Sequence, residues 1–118
     1  MEMLYPDYFT YMKLEVDDHN SENLFDKFDA CIEFINAASG KVLVHCWMGM
    51  SRSTSVWIAY IMYTQKLRFI EAYTMVKSKH PLTCPNRGFR NQLKLFERKL
   101  NGEKVEFKPY RFCNCVIF

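Results

Sequence analysis

Apolar and polar positions alternate over residues 11–16 (Tyr-Met-Lys-Leu-Glu-Val), the period of a half-buried strand. Residues 17–23 are polar and read as a loop. Leu24, Phe28, Cys31, Ile32 and Ile35 then recur at helical spacing, with Asn23 placed to cap the helix start and Gly40 to stop it. Val42-Leu43-Val44 is a short apolar run that predicts a buried strand. Residues 46–51 break the pattern and predict a loop. Residues 53–64 predict a helix that is apolar nearly all round, and 70–78 a second amphipathic helix ended before Pro81. Thr83-Cys84-Pro85-Asn86 is turn-like. Phe89, Leu93, Phe96 and Leu100 mark a last helix closed by Gly102. The order strand, helix, strand, helix, helix, helix predicts an α/β domain.

The 118 residues suit one domain, and an apolar fraction of 49% with 10 Phe and 7 Tyr supplies one core. The net charge of +3 is compatible with anionic substrates but too small to argue for nucleic acid. The cysteines are Cys31, Cys46, Cys84, Cys113 and Cys115. An odd count without a Cys-x-x-Cys pair argues against a disulfide framework and against zinc, and favours a reducing, intracellular setting. No metal or organic cofactor is called for. Residues 1–6 carry no signal-peptide pattern, and the longest apolar stretch, residues 56–63, is too short to span a bilayer. A soluble chain is expected, apart from what its last four residues add.

The information-rich segment is Val42-Leu43-Val44-His45-Cys46-Trp47-Met48-Gly49-Met50-Ser51-Arg52-Ser53. A strand would deliver His45 and Cys46 to a tight loop, and a helix starts at its far end. Successive amides of such a loop, with the helix N-terminus, form an anion cradle. Gly49 allows close backbone approach. Cys46 is the candidate nucleophile, since a helix N-terminus and a nearby cation favour the thiolate. Arg52 offers a planar fork that fits two phosphate oxygens. His45 would order the loop, and Ser51 or Ser53 would donate to the sulfur. The chemistry expected is a phosphocysteine intermediate followed by its hydrolysis. Singly, a buried Cys is inert core and an Arg at a helix start is a solvated charge. The conjunction of strand, His-Cys, Gly and Arg-Ser is what points to phosphoryl chemistry.

His45-Cys46, five further residues and Arg52-Ser53 resemble the signature of the protein tyrosine phosphatase superfamily. Ser51-Arg52-Ser53, Ala59-Tyr60-Ile61-Met62, Glu71-Ala72, Pro85-Asn86, Phe89, Gln92 and Leu93 resemble the dual-specificity phosphatases within it. The likeness runs from about Phe9 to Leu100. It implies a short central parallel sheet flanked by helices, over residues 1–102, with 103–118 as a tail. It also implies a general acid, an Asp upstream of the nucleophile. Asp17 and Asp18 both sit there, and the count back from Leu24 favours Asp18. Asn86 would support the phosphate loop. Trp47, Met48 and Met50 occupy the loop's variable positions. None is basic, which favours phosphoprotein over phosphoinositide, with phosphotyrosine and phosphoserine/threonine both accepted. Met48 stands where the family usually has a small residue.

Members of this family have further strands before the one at 11–16, flanking the nucleophile strand, and this sequence starts without them. The fold is therefore expected to be incomplete, and the 118-residue chain less stable than a complete relative. A cooperative melt at high temperature would contradict this. A catalytically weak, phosphate-binding interaction module is the competing function. A rhodanese-like sulfur carrier is a third, opposed by Gly49-x-Ser51-Arg52-Ser53.

The last residues, Cys115-Val116-Ile117-Phe118, form a C-a-a-X sequence resembling a geranylgeranylation signal. Cys113 would take a second lipid, beside Lys104, Lys108 and Arg111. The chain is expected in the cytoplasm, attached to the cytoplasmic side of a membrane if Cys115 is prenylated.

Overall fold

The structure is a computed structural model that describes Tyr5 and residues 7–108. The calls on Cys113, Arg111 and Cys115 lie outside those residues.

Its elements are a single 3₁₀ turn at Phe25–Lys27 and four helices: α1 (Phe28–Ala37), α2 (Arg52–Gln65), α3 (Phe69–Lys79) and α4 (Arg87–Leu100). The apolar periods explain them. α1 buries Phe28, Cys31, Ile32 and Ile35, and α4 buries Phe89, Gln92, Leu93 and Phe96. α2 buries residues on most of its circumference because α1, α3 and α4 all pack on it. Phe25, Phe28 and Phe96 meet with ring centroids 5.2–6.4 Å apart and join the two ends of the chain. Among the described residues no helix is long and apolar enough to cross a membrane.

The helix boundaries differ slightly from expectation. Asn23 does accept from Asp26 N (3.2 Å), but it lies before the 3₁₀ turn whose N-cap is Leu24, and α1 proper begins at Phe28. α2 ends at Lys66, a non-glycine residue at φ 54°, with Leu67 N reaching back to Met62 O at 3.2 Å.

Two predicted strands are corrected. Among the described residues nothing pairs as a ladder, so the expected central parallel sheet is not seen. The alternation itself is real. Val16 is buried and Leu14, Val42 and Val44 are half-buried against the core, whereas Leu43 is 83% exposed. Periodicity marks which side chains face the core, but a strand also needs a hydrogen-bonding neighbour. Among the described residues, 42–45 have none, and their run is not the fully buried strand the sequence suggested.

Long-range bonds from Gln92 and Glu97, and a close approach at Gly88, tie distant segments together. Gln92, 1% exposed, accepts from Leu24 N and Phe25 N through Oε1 (both 2.7 Å) and donates to Glu22 O (2.8 Å). It thereby holds the start of the first helical segment. Glu97 Oε1 accepts from Phe69 N at 2.7 Å, so α4 caps α3. At Gly88 a Cβ would lie 1.9 Å from Asn20 O, so only glycine lets α4 meet the loop that carries Asp18. Gly88→Ala is expected to destabilise the fold by about 1–3 kcal/mol, as overpacking does. A thermal melt would read that loss, and an unchanged melting temperature would contradict it.

Candidate active site

Residues 47–51 bend tightly, with Gly49 at φ +65°, a left-handed conformation that a side chain resists. α2 starts at Arg52 immediately after. Ser51, the residue at the N-cap, does not cap it. Its Oγ instead accepts from Asn86 N at 2.9 Å, which leaves the first amides of α2 free to face the loop's interior.

Cys46 occupies that interior. Its thiol donates to Ser53 Oγ at 3.2 Å. Burial pushes the thiol up, but the Ser53 hydroxyl and the amides of Ser53, Gly49 and Ser51 outweigh it, and the net effect lowers Cys46 below its ordinary value of 9.0. Groups of Gly49, Ser51 and Ser53 thus favour the ionised form of this one sulfur. Cys31 shows the contrast: burial pushes its thiol up to about 11, with Lys27 only partly opposing it. Cys31, Cys46 and Cys84 are all free thiols.

Arg52 is half-buried beside Ser53. Its Nη1 donates to Val16 O at 3.2 Å, which anchors the segment before Asp17. Its Nε is buried and has no hydrogen-bond partner among the described residues. A buried guanidinium donor without a partner, on the first residue of α2, is a group that an anion could satisfy.

Asp18 is exposed, and its Oδ1 accepts from Asn86 Nδ2 at 2.8 Å. Asn86 also accepts from Phe89 N through Oδ1 (2.8 Å), capping α4, and bonds Ser51 through its own amide. One residue therefore links Asp18, the 46–51 loop and α4. Among the described residues Asp17 makes one backbone bond, its carbonyl accepting from His19 N at 3.0 Å. Trp47 and Met48 are 81% and 62% exposed at the loop's rim, while Met50 is half-buried. His45 is exposed. It lines a groove of about 400 Å³ on the loop's flank with Val42, Val44, Trp57 and His80.

The structure thus gathers Cys46, Gly49, Ser51, Arg52, Ser53, Asn86 and Asp18 around one loop. Sequence reading missed the outer supports of that loop. Met50 O accepts from Cys84 N (2.7 Å) and Thr54 Oγ1 (2.6 Å). Ser51 O accepts from Ser55 N (3.0 Å) and Ser55 Oγ (2.5 Å). His80 Nε2 meets Gly49 O at 2.7 Å. Buried hydroxyls on the first turn of a nearly all-apolar helix were the one visible signal. Nothing local marks His80.

The comparisons with known proteins agree with this geometry. The model of the dual specificity phosphatase catalytic domain matches residues 3–99. Dual specificity protein phosphatase 1B of Arabidopsis thaliana is 43% identical over 101 residues, covering 83% of this chain and 60% of that protein. Human dual specificity protein phosphatase 7 is 44% identical over 95 residues, covering 78% of this chain and 23% of that one. Among solved structures, the human tyrosine phosphatase-like serine/threonine/tyrosine-interacting protein superposes with a TM-score of 0.76 at 37% identity, covering 77% of this chain and 62% of the other. The chain belongs to the dual-specificity phosphatase family. It spans less than two thirds of the length of these relatives.

Proposed function

We propose that the chain is a protein phosphatase that removes phosphate from phosphotyrosine and phosphoserine/threonine side chains through a phosphocysteine at Cys46. The single observation that carries the reading is the pairing of a donor-stabilised sulfur with the orphaned Nε of Arg52 at one helix N-terminus. The sulfur supplies an electron pair to phosphorus. The Arg52 fork and the loop amides neutralise charge on the three other oxygens as the bond to the leaving oxygen breaks. Asp18 is assigned to protonate that leaving oxygen and then to take a proton from the attacking water. Ser53, already against Sγ, eases departure of the sulfur in the second step. The exposed rim of Trp47 and Met48 offers an apolar face to a phosphorylated peptide, and the lack of a basic residue there disfavours a polyanionic lipid headgroup.

The direct test is to quench the turning-over chain in acid with an aryl phosphate and map the peptide containing Cys46 by mass. Phosphorylated Cys46 is the expected species. Turnover with Cys46 never labelled would refute the covalent route. A chain that binds inorganic phosphate but hydrolyses nothing would leave the interaction-module reading in its place.

A further inference from the structure

The carbonyls of Gly49, Met50 and Ser51 are each held from outside the loop. Those of Met50 and Ser51 are held by backbone N–H groups and by hydroxyls of α2. That of Gly49 is held by His80, from the end of α3, at 2.7 Å. In a trans peptide the C=O and the following N–H point in opposite directions. An outward carbonyl therefore turns the next residue's amide inward. For the Met50 carbonyl the same rule turns the Ser51 amide inward, in keeping with that amide helping to lower Cys46. The same geometry applied to Gly49 turns the Met50 amide into the cradle. Because a carbonyl only accepts, the His80 ring carries its hydrogen on Nε2.

We infer that His80 is a positioning residue of the phosphate cradle: by gripping the Gly49 carbonyl from outside, it aims the Met50 amide at a phosphate oxygen. Two features make Gly49 the peptide that needs a grip. It sits at φ +65°, and a glycine there moves freely between conformations. The other two carbonyls are each held by two or more donors, whereas among the described residues Gly49 O has His80 alone. Residues 31 apart in sequence are joined by this bond, so α3 sets the shape of a loop it does not adjoin in the chain. Freed of the grip, the Gly49–Met50 peptide can flip. A carbonyl oxygen would then face the incoming anion.

The inference rests on the phosphatase reading for its purpose but is tested without turnover. His80 is exposed, so His80→Ala opens no core. His80→Gln keeps an N–H donor near the position of Nε2. Each chain is alkylated at Cys46 with iodoacetamide across a series of inorganic phosphate concentrations, and the protection constant is read. For His80→Ala, phosphate protection should weaken about three- to tenfold, the effect of losing one net hydrogen bond. For His80→Gln it should stay within about twofold of wild type on the same scale. Equal protection in the wild-type and Ala chains would overturn the inference, as would equal impairment of Ala and Gln. Protection by phosphate in a wild-type chain that shows no hydrolysis would fail the phosphatase reading and leave the positioning role of His80 standing. A wild-type chain that phosphate never protects would remove the cradle and the inference together.

Discussion

Replacing Cys46 with Ser is expected to reduce aryl-phosphate hydrolysis to background, a loss on the order of 10⁴-fold or more, as removal of a nucleophile from a cooperating set does. The reason lies in the donors rather than in the sulfur alone. Three loop amides and the Ser53 hydroxyl favour a thiolate that burial by itself would disfavour. A serine hydroxyl in the same place does not ionise near neutral pH, and among the described residues the side chain bonded at that position is the Ser53 hydroxyl, not a base. The same donors fix the pH dependence. Cys46 is lowered from 9.0, so alkylation of Cys46 should stay fast below the ordinary thiol range and fall only as pH drops through the lowered value. Stability follows the same sign: the contribution from the ionised sulfur is present above the unfolded value and is lost as pH falls through the folded one. Cys31, pushed up to about 11, should remain unalkylated in the folded chain at neutral pH. An alkylation profile for Cys46 no different from that of a free thiol would contradict the donor argument. Retained hydrolysis in the Ser chain would remove Cys46 from the mechanism.

Arg52→Lys should lower kcat/KM for an aryl phosphate by about 10²–10³-fold although the charge is kept, the range seen when a preorganised transition-state donor is removed. The guanidinium does two things at once. Nη1 is engaged by Val16 O, which fixes the plane of the fork, and the buried Nε is left without a partner. A lysine presents one compact ammonium and cannot hold Val16 while offering a planar pair of donors to phosphate. The anchor of the segment leading to Asp18 would loosen with it. Binding of inorganic phosphate should therefore weaken alongside turnover, and the melting temperature should move only slightly because the group is half-buried. Measuring all three in one series separates lost phosphate contacts from lost folding. A Lys variant with wild-type kcat/KM would show that the fork's geometry is irrelevant.

The apolar rim of the loop fits this picture without deciding between substrates. Trp47 and Met48 are exposed beside the cradle, and such side chains pack on an aromatic ring or on a peptide's apolar residues alike. The membrane question lies with Cys115, outside the described residues, and is separate from the chemistry of the loop.

What the sequence by itself determined was everything carried by neighbours in the chain. The helical periods placed α1 to α4 within a few residues. The contiguous run from His45 to Ser53 carried the family signature and pointed to a phosphate loop, because its cysteine, its glycine and its arginine lie within one turn and one helix start. Val42 and Val44 correctly marked a core-facing side. Tertiary structure alone decided the rest. A strand exists only if a partner lies alongside, and among the described residues 42–45 and 11–16 have none, so a correct alternation is not seen as a sheet. The sequence already favoured Asp18 over Asp17, but the bond that ties Asp18 to the loop comes from Asn86, 68 positions away. The clasp of Gln92, the Glu97 cap on α3 and the His80 grip on Gly49 likewise join residues 28–70 apart. Periodicity and motif spacing report only what a residue's own segment requires. Directional hydrogen bonds between distant segments depend on how the packed helices present them, and that presentation is settled by the core as a whole.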